Sequence, residues 1–221
     1  MPVQGPSRGS TAHLVLPAFT AKPEPTLAST RLPPPPPAPS ASPNSLAPSP
    51  LAIIGSLAID ITMSPTSDPM HTTAPGSVGL SLGGVAGNVA GAARSCGIAD
   101  VLLVAPVGAD FLGSVASEGL AARGMRCDGL VRLVAGEGGT PTCGILLDPS
   151  GELVGGVADM GIVAEMKGEA VVERIRRSEA KLVCFDGNLS KHAMAAIIQH
   201  ADDNSIRSES LSEHYPPVAQ C

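Results

Sequence analysis

Residues 83–90 read Gly-Gly-Val-Ala-Gly-Asn-Val-Ala, a glycine pair followed by a run of small residues. The glycines free the backbone to turn and admit a close neighbour. The small residues Ala86, Gly87, Ala90, Gly91 and Ala93 let a helix over 85–96 approach an adjoining layer, and Gly97 supplies its C-terminal stop. Apolar runs lie on either side: Leu-Ala-Ile-Ile-Gly-Ser-Leu-Ala-Ile-Asp-Ile at 51–61 and Val-Leu-Leu-Val-Ala-Pro-Val at 101–107. Each reads as a buried strand. Strand, helix, strand is the repeating unit of an α/β fold with a mostly parallel sheet.

Further along, the same alternation continues. Helices are predicted over 111–123, closed by Gly124, and over 168–177 and 191–201, with a strand at 181–186. Four shorter strands break the pattern, at 77–82, 130–135, 142–148 and 152–157. Asp148-Pro149-Ser150-Gly151 joins the last two as a hairpin turn. Strands near 77–82 and 130–157 are therefore predicted to form a small accessory β lid beside the main sheet.

The two ends differ in composition from this core. Of 22 prolines, 14 fall within residues 1–50, five of them consecutive at 33–37. Such a segment buries too little apolar surface to order itself, so 1–50 is predicted to be a disordered leader. From Asp202 the apolar periodicity stops, and 202–221 is predicted to be a disordered tail. The folded part is then 51–201, enough for one core.

Composition excludes several classes of function. A chain of 221 residues with net charge −6, no Trp, one Tyr and three Phe lacks the basic stripe and stacking aromatics of a nucleic-acid binder. No apolar run approaches a membrane span of roughly 18 residues. Five widely spaced cysteines with no C-x-x-C pair point to reduced thiols. The cytoplasm is the expected compartment, with a peroxisome or another organelle as the alternative. The C-terminal Ala-Gln-Cys is not a peroxisomal signal.

In an open parallel sheet, ligands bind beyond the carboxyl ends of the strands, often against a helix start. Three elements are expected there. Asp60 ends the first strand, where a carboxylate accepts hydrogen bonds from two vicinal hydroxyls. Gly83 and Gly84 open a helix carrying Asn88 in its first turn or so, and Gly108-Ala109-Asp110 with Gly113 follows the next strand. Taken singly, a glycine pair is also ordinary turn chemistry and a strand-end Asp also a helix cap. Neither G-x-G-x-x-G nor a Walker A lysine is present, and the five histidines form no H-E-x-x-H. No metal ligands are assigned.

Order and combination are more specific than the parts. Residues 83–90, Gly97, and Val107-Gly108-Ala109-Asp110 with Gly113 resemble the first half of the ribokinase-like carbohydrate kinases of the phosphofructokinase-B type. Thr72-Thr73-Ala74-Pro75-Gly76, Thr140-Pro141-Thr142-Cys143 and residues 148–159 bring the chain closest to the pseudouridine kinases of plants and algae. The run 183–189, Val-Cys-Phe-Asp-Gly-Asn-Leu, is similar to a strand end in those enzymes. The resemblance implies a ribokinase-like central sheet with helices on both faces and a β lid closing over a sugar or nucleoside. It implies contacts from Asp60, Gly83, Gly84 and Asn88 to ribose hydroxyls, Thr140 covering the substrate, and Asn188 near the phosphoryl-transfer cleft. ATP and Mg²⁺ would supply the phosphoryl group, the ribose 5′-hydroxyl of pseudouridine would accept it, and two copies could pair through their lids.

One departure is large. The Gly-Ala-Gly-Asp motif that carries the catalytic base in this family is missing, as is N-x-x-E. The chain therefore reads as a domain truncated on its C-terminal side, with no catalytic residue assigned and no kinase activity expected of it alone. The alternatives are a non-catalytic nucleoside-binding or lid-mediated interaction fragment, and a ribokinase- or adenosine-kinase-like sugar kinase.

Overall fold

The computed structural model describes residues 46–68, 72–133 and 138–211. Its centre is a four-stranded parallel sheet built from β1 (Leu51–Ile54), β4 (Val101–Val104), β9 (Leu182–Phe185) and β10 (Arg207–Ser210), in the order β10-β9-β1-β4. Leu51 pairs with Val101 on one side and with Leu182 on the other. A parallel strand covered on both faces is apolar throughout, which is why LAII and VLLV show no polar alternation.

Alternate side chains of these strands feed two cores. Ala52, Ile54, Leu102, Val104, Val183 and Phe185 face α3 (Gly161–Ala164), α4 (Gly168–Ser178) and α5 (Lys191–Asp203), where Val171, Ile175, Ala193 and Ile197 meet them. Leu51, Ile53, Val101 and Leu103 face the opposite way, onto Ala86 and Ala90 of α1 (Val85–Ser95) and Ala116 and Leu120 of α2 (Phe111–Ala122). Helices thus cover both faces of a mostly parallel sheet, as expected. The small residues of α1 have the predicted use. A Cβ on Gly87 would lie 3.0 Å from Leu57, so the helix sits as close as its backbone allows.

The lid is a second sheet, β3-β2-β7-β8, formed by β2 (Ala58–Pro65), β3 (Gly76–Gly83), β7 (Thr142–Leu147) and β8 (Leu153–Asp159). It departs from expectation in two ways. Residues 51–61 are not one strand, because the chain turns at Gly55-Ser56-Leu57 and Asp60 falls within the lid. Residues 130–135 do not join the lid either. There, β6 (Val131–Arg132) pairs in parallel with β5 (Pro106–Val107), and residues 134–137 lie outside the described part. A break at Ala105 separates β4 from β5 within the apolar run 101–107. The short α3 was not anticipated, since four residues give no readable period.

Both predicted boundaries move. Ser49 is buried and its hydroxyl donates to the Leu51 and Asp100 carbonyls, at 2.8 and 2.6 Å, so the folded part begins before residue 51. Residues 1–45 of the predicted leader lie outside the described residues. The predicted tail from Asp202 is corrected up to residue 211. Helix α5 runs to Asp203, and β10 pairs in parallel with β9, Arg207 opposite Leu182. The sequence Arg-Ser-Glu-Ser hid this strand because it lies at the sheet edge. Its flanking residues Ile206 and Leu211 supply the apolar contacts, one to each core.

Candidate functional site

Where β1, β9 and the lid meet α1, polar groups converge. The turn Gly55-Ser56 leaves β1, and Asp186 ends β9 directly beside it. Asp186 is wholly buried, and its carboxylate accepts from the Ser56 N–H at 2.7 Å, the Ser56 hydroxyl at 2.8 Å and the Asn188 N–H at 2.9 Å. Gly55 is required here: its φ is +148°, and a Cβ would stand 2.2 Å from the Asp186 carboxyl carbon.

Ser56 in turn holds the start of α1. Its hydroxyl oxygen accepts from the Val85 N–H at 3.0 Å and from the Asn188 amide at 3.4 Å, and its carbonyl accepts from the Gly87 N–H at 3.0 Å. Gly84, the N-cap with φ +83°, offers no side chain, and a Cβ there would press to 2.6 Å from the Ser56 carbonyl oxygen. The glycine pair thus lets α1 dock on Ser56. Val85 and Gly87 already have partners for their N–H groups, so this helix start is not an open phosphate cradle.

Asp60 stands over the pair. Its carboxylate would lie 2.0 Å from a Cβ on Gly83, so any larger residue there would have to push the Asp60 side chain aside. Burial pushes the Asp60 carboxyl above the usual carboxylate value. Register puts Asp60 beside Ser81 and Cys143, with Thr62 and Gly79 further out on the same face. On that face β2 and β3 carry small and polar residues, with Ile145 of β7 opposite Thr62, whereas the reverse face carries Ile61, Met63, Val78, Leu80 and Val157.

Of the predicted site residues, Asp60, Gly83, Gly84 and Asn188 therefore gather around the start of α1. Asn88 is exposed one turn along α1 and lines a separate groove of about 460 Å³ with Arg94, Ser95 and Arg123. Thr140 lies elsewhere and is only 2% exposed. It is held by Asp110, whose carboxylate accepts from its N–H at 2.7 Å, its hydroxyl at 2.6 Å and the Gly113 N–H at 2.7 Å. The Thr140 hydroxyl also accepts from the Gly108 N–H at 3.0 Å. Burial opposes the Asp110 charge, but these donors outweigh it and hold the carboxyl below its usual value. The Thr140 hydroxyl is thus engaged within the protein and clamps the start of β7 to α2.

Sequence reasoning missed Ser56 and Asp186. The signals were the glycine before Ser56 and, for Asp186, its place in the strand-end run 183–189 whose resemblance gave a role to Asn188 alone. Among the described residues no group of three or more His, Cys, Asp or Glu is placed to hold a metal ion. With the Val85, Gly87 and Asn88 amides also engaged, the start of α1 does not fit a metal–nucleotide site. No helix among them is long and apolar enough to cross a membrane.

Comparison with known proteins bears on this arrangement. The family model "pfkB family carbohydrate kinase" matches residues 49–213. Among solved structures, a carbohydrate kinase from Agrobacterium tumefaciens aligns at 23% identity with a TM-score of 0.63, over 72% of this chain and 52% of its own. Ribokinase of Arabidopsis thaliana, solved with ribose and ATP, aligns at 18% identity and TM-score 0.63, over 75% and 53%. Ribokinase of Giardia lamblia gives 21% identity and 0.58, over 76% and 52%. A search of curated proteins gives no match. The chain spans about half the length of these solved structures, and their low identity speaks for the fold alone. With the family model covering most of the chain, from before β1 to beyond β10, this protein belongs to the pfkB family of carbohydrate kinases.

Proposed function

We propose that these residues form the acceptor-binding half of a sugar kinase whose substrate is a nucleoside, pseudouridine, phosphorylated on its ribose 5′-hydroxyl. The observation that carries this reading is the Asp60 carboxylate poised over Gly83 where the lid meets the start of α1, a helix start that Ser56 links to the Asn188 amide. A carboxylate accepts hydrogen bonds from a pair of sugar hydroxyls, and such charged bonds are stronger than neutral ones. The Asn188 side chain adds a donor and an acceptor, and the missing side chains of Gly83 and Gly84 leave the approach open. ATP with Mg²⁺ is the donor that the family implies. The test is a binding panel of pseudouridine, uridine, adenosine, ribose and fructose 6-phosphate, read by calorimetry. Pseudouridine binding most tightly supports the assignment, and preference for adenosine or the hexose phosphate overturns it.

A second reading concerns partners. The reverse face of the lid exposes Val78, Leu80 and Val157 at 70%, 59% and 78%. An apolar sheet face of this kind favours pairing with a second copy through the lid. Sedimentation of the purified protein checks this, and a monomer at high concentration counts against it.

A further inference from the structure

We propose that Ser56 and Asp186 act as one positioning unit, in which a buried carboxylate holds the start of α1 through the Ser56 hydroxyl and so presets Asn188 and the glycine pair beneath Asp60. Helix α1 needs such a device. It has no side-chain N-cap of its own and no acidic residue in its first turn, so its positive end is uncompensated locally. Asp186 meets the complementary difficulty. A fully buried carboxylate demands donors or positive charge, and no described Lys, Arg or His forms an ion pair with it.

Ser56 satisfies both at once. Its hydroxyl proton is directed to Asp186, which leaves the oxygen lone pairs for the Val85 N–H and the Asn188 amide. Its carbonyl takes the Gly87 N–H. The carboxylate therefore dictates which way the hydroxyl points, and the hydroxyl dictates where α1 begins and how Asn188 is turned. Gly83 and Gly84 follow from the same anchor, because both sit at that helix start. Neither Ser56 nor Asp186 is exposed, so both are positioning residues.

The effect on ligand affinity rests on the sugar-binding reading, but the anchoring of α1 does not, and the experiment separates them. In the unmodified protein, the Ser56 hydroxyl proton should exchange slowly enough to be seen by NMR and should show a contact to the Val85 amide proton. Ser56→Ala and Asp186→Asn should each lower the hydrogen-exchange protection of the amides of residues 85–88 by about tenfold or more, with the β4 amides changed much less. The double variant should be no worse than the poorer single one, because the two residues act in series. Ser56→Thr, which keeps the hydroxyl, should recover most of the protection. Affinity for the tightest-binding nucleoside of the panel should fall in Ser56→Ala and return in Ser56→Thr. If no nucleoside or sugar binds the unmodified protein, the sugar-site reading fails while the exchange results still decide this one. A rapidly exchanging Ser56 hydroxyl overturns the proposal, even where the variants do not fold. Additive losses in the double variant, or unchanged protection at 85–88, also overturn it.

Discussion

Asp60 carries opposing consequences for stability and binding. Its carboxyl is raised above the usual value by burial, so the folded protein binds that proton more tightly than the unfolded chain. Stability from this group is present at low pH and declines as pH rises through the raised value. Asp60→Asn should leave the melting temperature unchanged or slightly higher. It should weaken ribose-containing ligands by about 10- to 100-fold, the worth of charged hydrogen bonds. Binding to the unmodified protein should fall as pH drops below the raised value, and the variant should lack that dependence; calorimetry across pH reads both. Asp110 has the opposite sign. Its carboxyl is lowered, so its contribution is present above the ordinary aspartate value and is lost as pH falls through the lowered one. Thr140→Val removes one donor to Asp110 and the acceptor of the Gly108 N–H, and should cost about 1–3 kcal/mol in urea unfolding. It should also flatten the acid limb. In the sequence, Asp60 and the glycine pair stood out only through their order and combination with the motifs around them. Asp60 lies inside β2 rather than at the strand end expected for it. Ser56 was not legible, since a serine within an apolar run looks like any turn residue until Asp186 is seen beside it.

Helix ends show why boundaries were read well in some elements and not in others. Gly97 and Gly124 have φ of +97° and +67°, and both were recognised as helix stops because glycine is the residue that adopts such angles freely. Helices α4 and α5 stop without glycine. Glu179 and Ser205 take φ of 54° and 53° instead, the only positive-φ residues other than glycine in the described chain. Both line one cavity of about 310 Å³ between the C-terminal ends of α4 and α5. Glu179→Gly should raise stability by roughly 0.5–1 kcal/mol if relief of the left-handed strain exceeds the entropy glycine adds to the unfolded chain. A denaturation midpoint that falls instead would contradict this. The split of residues 51–61 was illegible for a different reason. Only Gly55-Ser56 interrupts its apolar pattern before Leu57, and the partner that holds Ser56 in the turn, Asp186, is 130 residues away. In β10 the difficulty is reversed: an edge strand needs little hydrophobicity of its own, so four polar residues conceal a strand that only its neighbour β9 reveals.

Across the whole molecule, the alternation of strands and helices was enough to read a two-faced α/β sheet with a lid. Which strand joined which sheet was not, because pairing is set by long-range packing. The same scale governs activity. Phosphoryl transfer needs a base and preorganised donors for the developing charge, and removing one oxyanion donor alone typically costs on the order of 10²- to 10³-fold in rate. The 221 residues contain no Gly-Ala-Gly-Asp motif. By themselves they should bind a sugar or nucleoside without phosphorylating it. Incubation with ATP, Mg²⁺ and pseudouridine, followed by chromatography for the 5′-monophosphate, checks this. Product formed within minutes would show that another residue supplies the base.

The central position of β1 also fixes when this protein can fold. Its partner β4 follows closely, but β9, on its other side, and the Asp186 carboxylate that shapes its exit are about 130 residues further on. At ribosomal speeds of roughly 5–20 residues per second, the first strand waits on the order of ten seconds for its second neighbour to be made. During that interval LAII presents an unpaired edge and α1 lacks its anchor, an exposure of the kind that chaperones cover in nascent chains. A synonymous change that slows translation between β4 and β9 would lengthen this exposure without altering a single side chain.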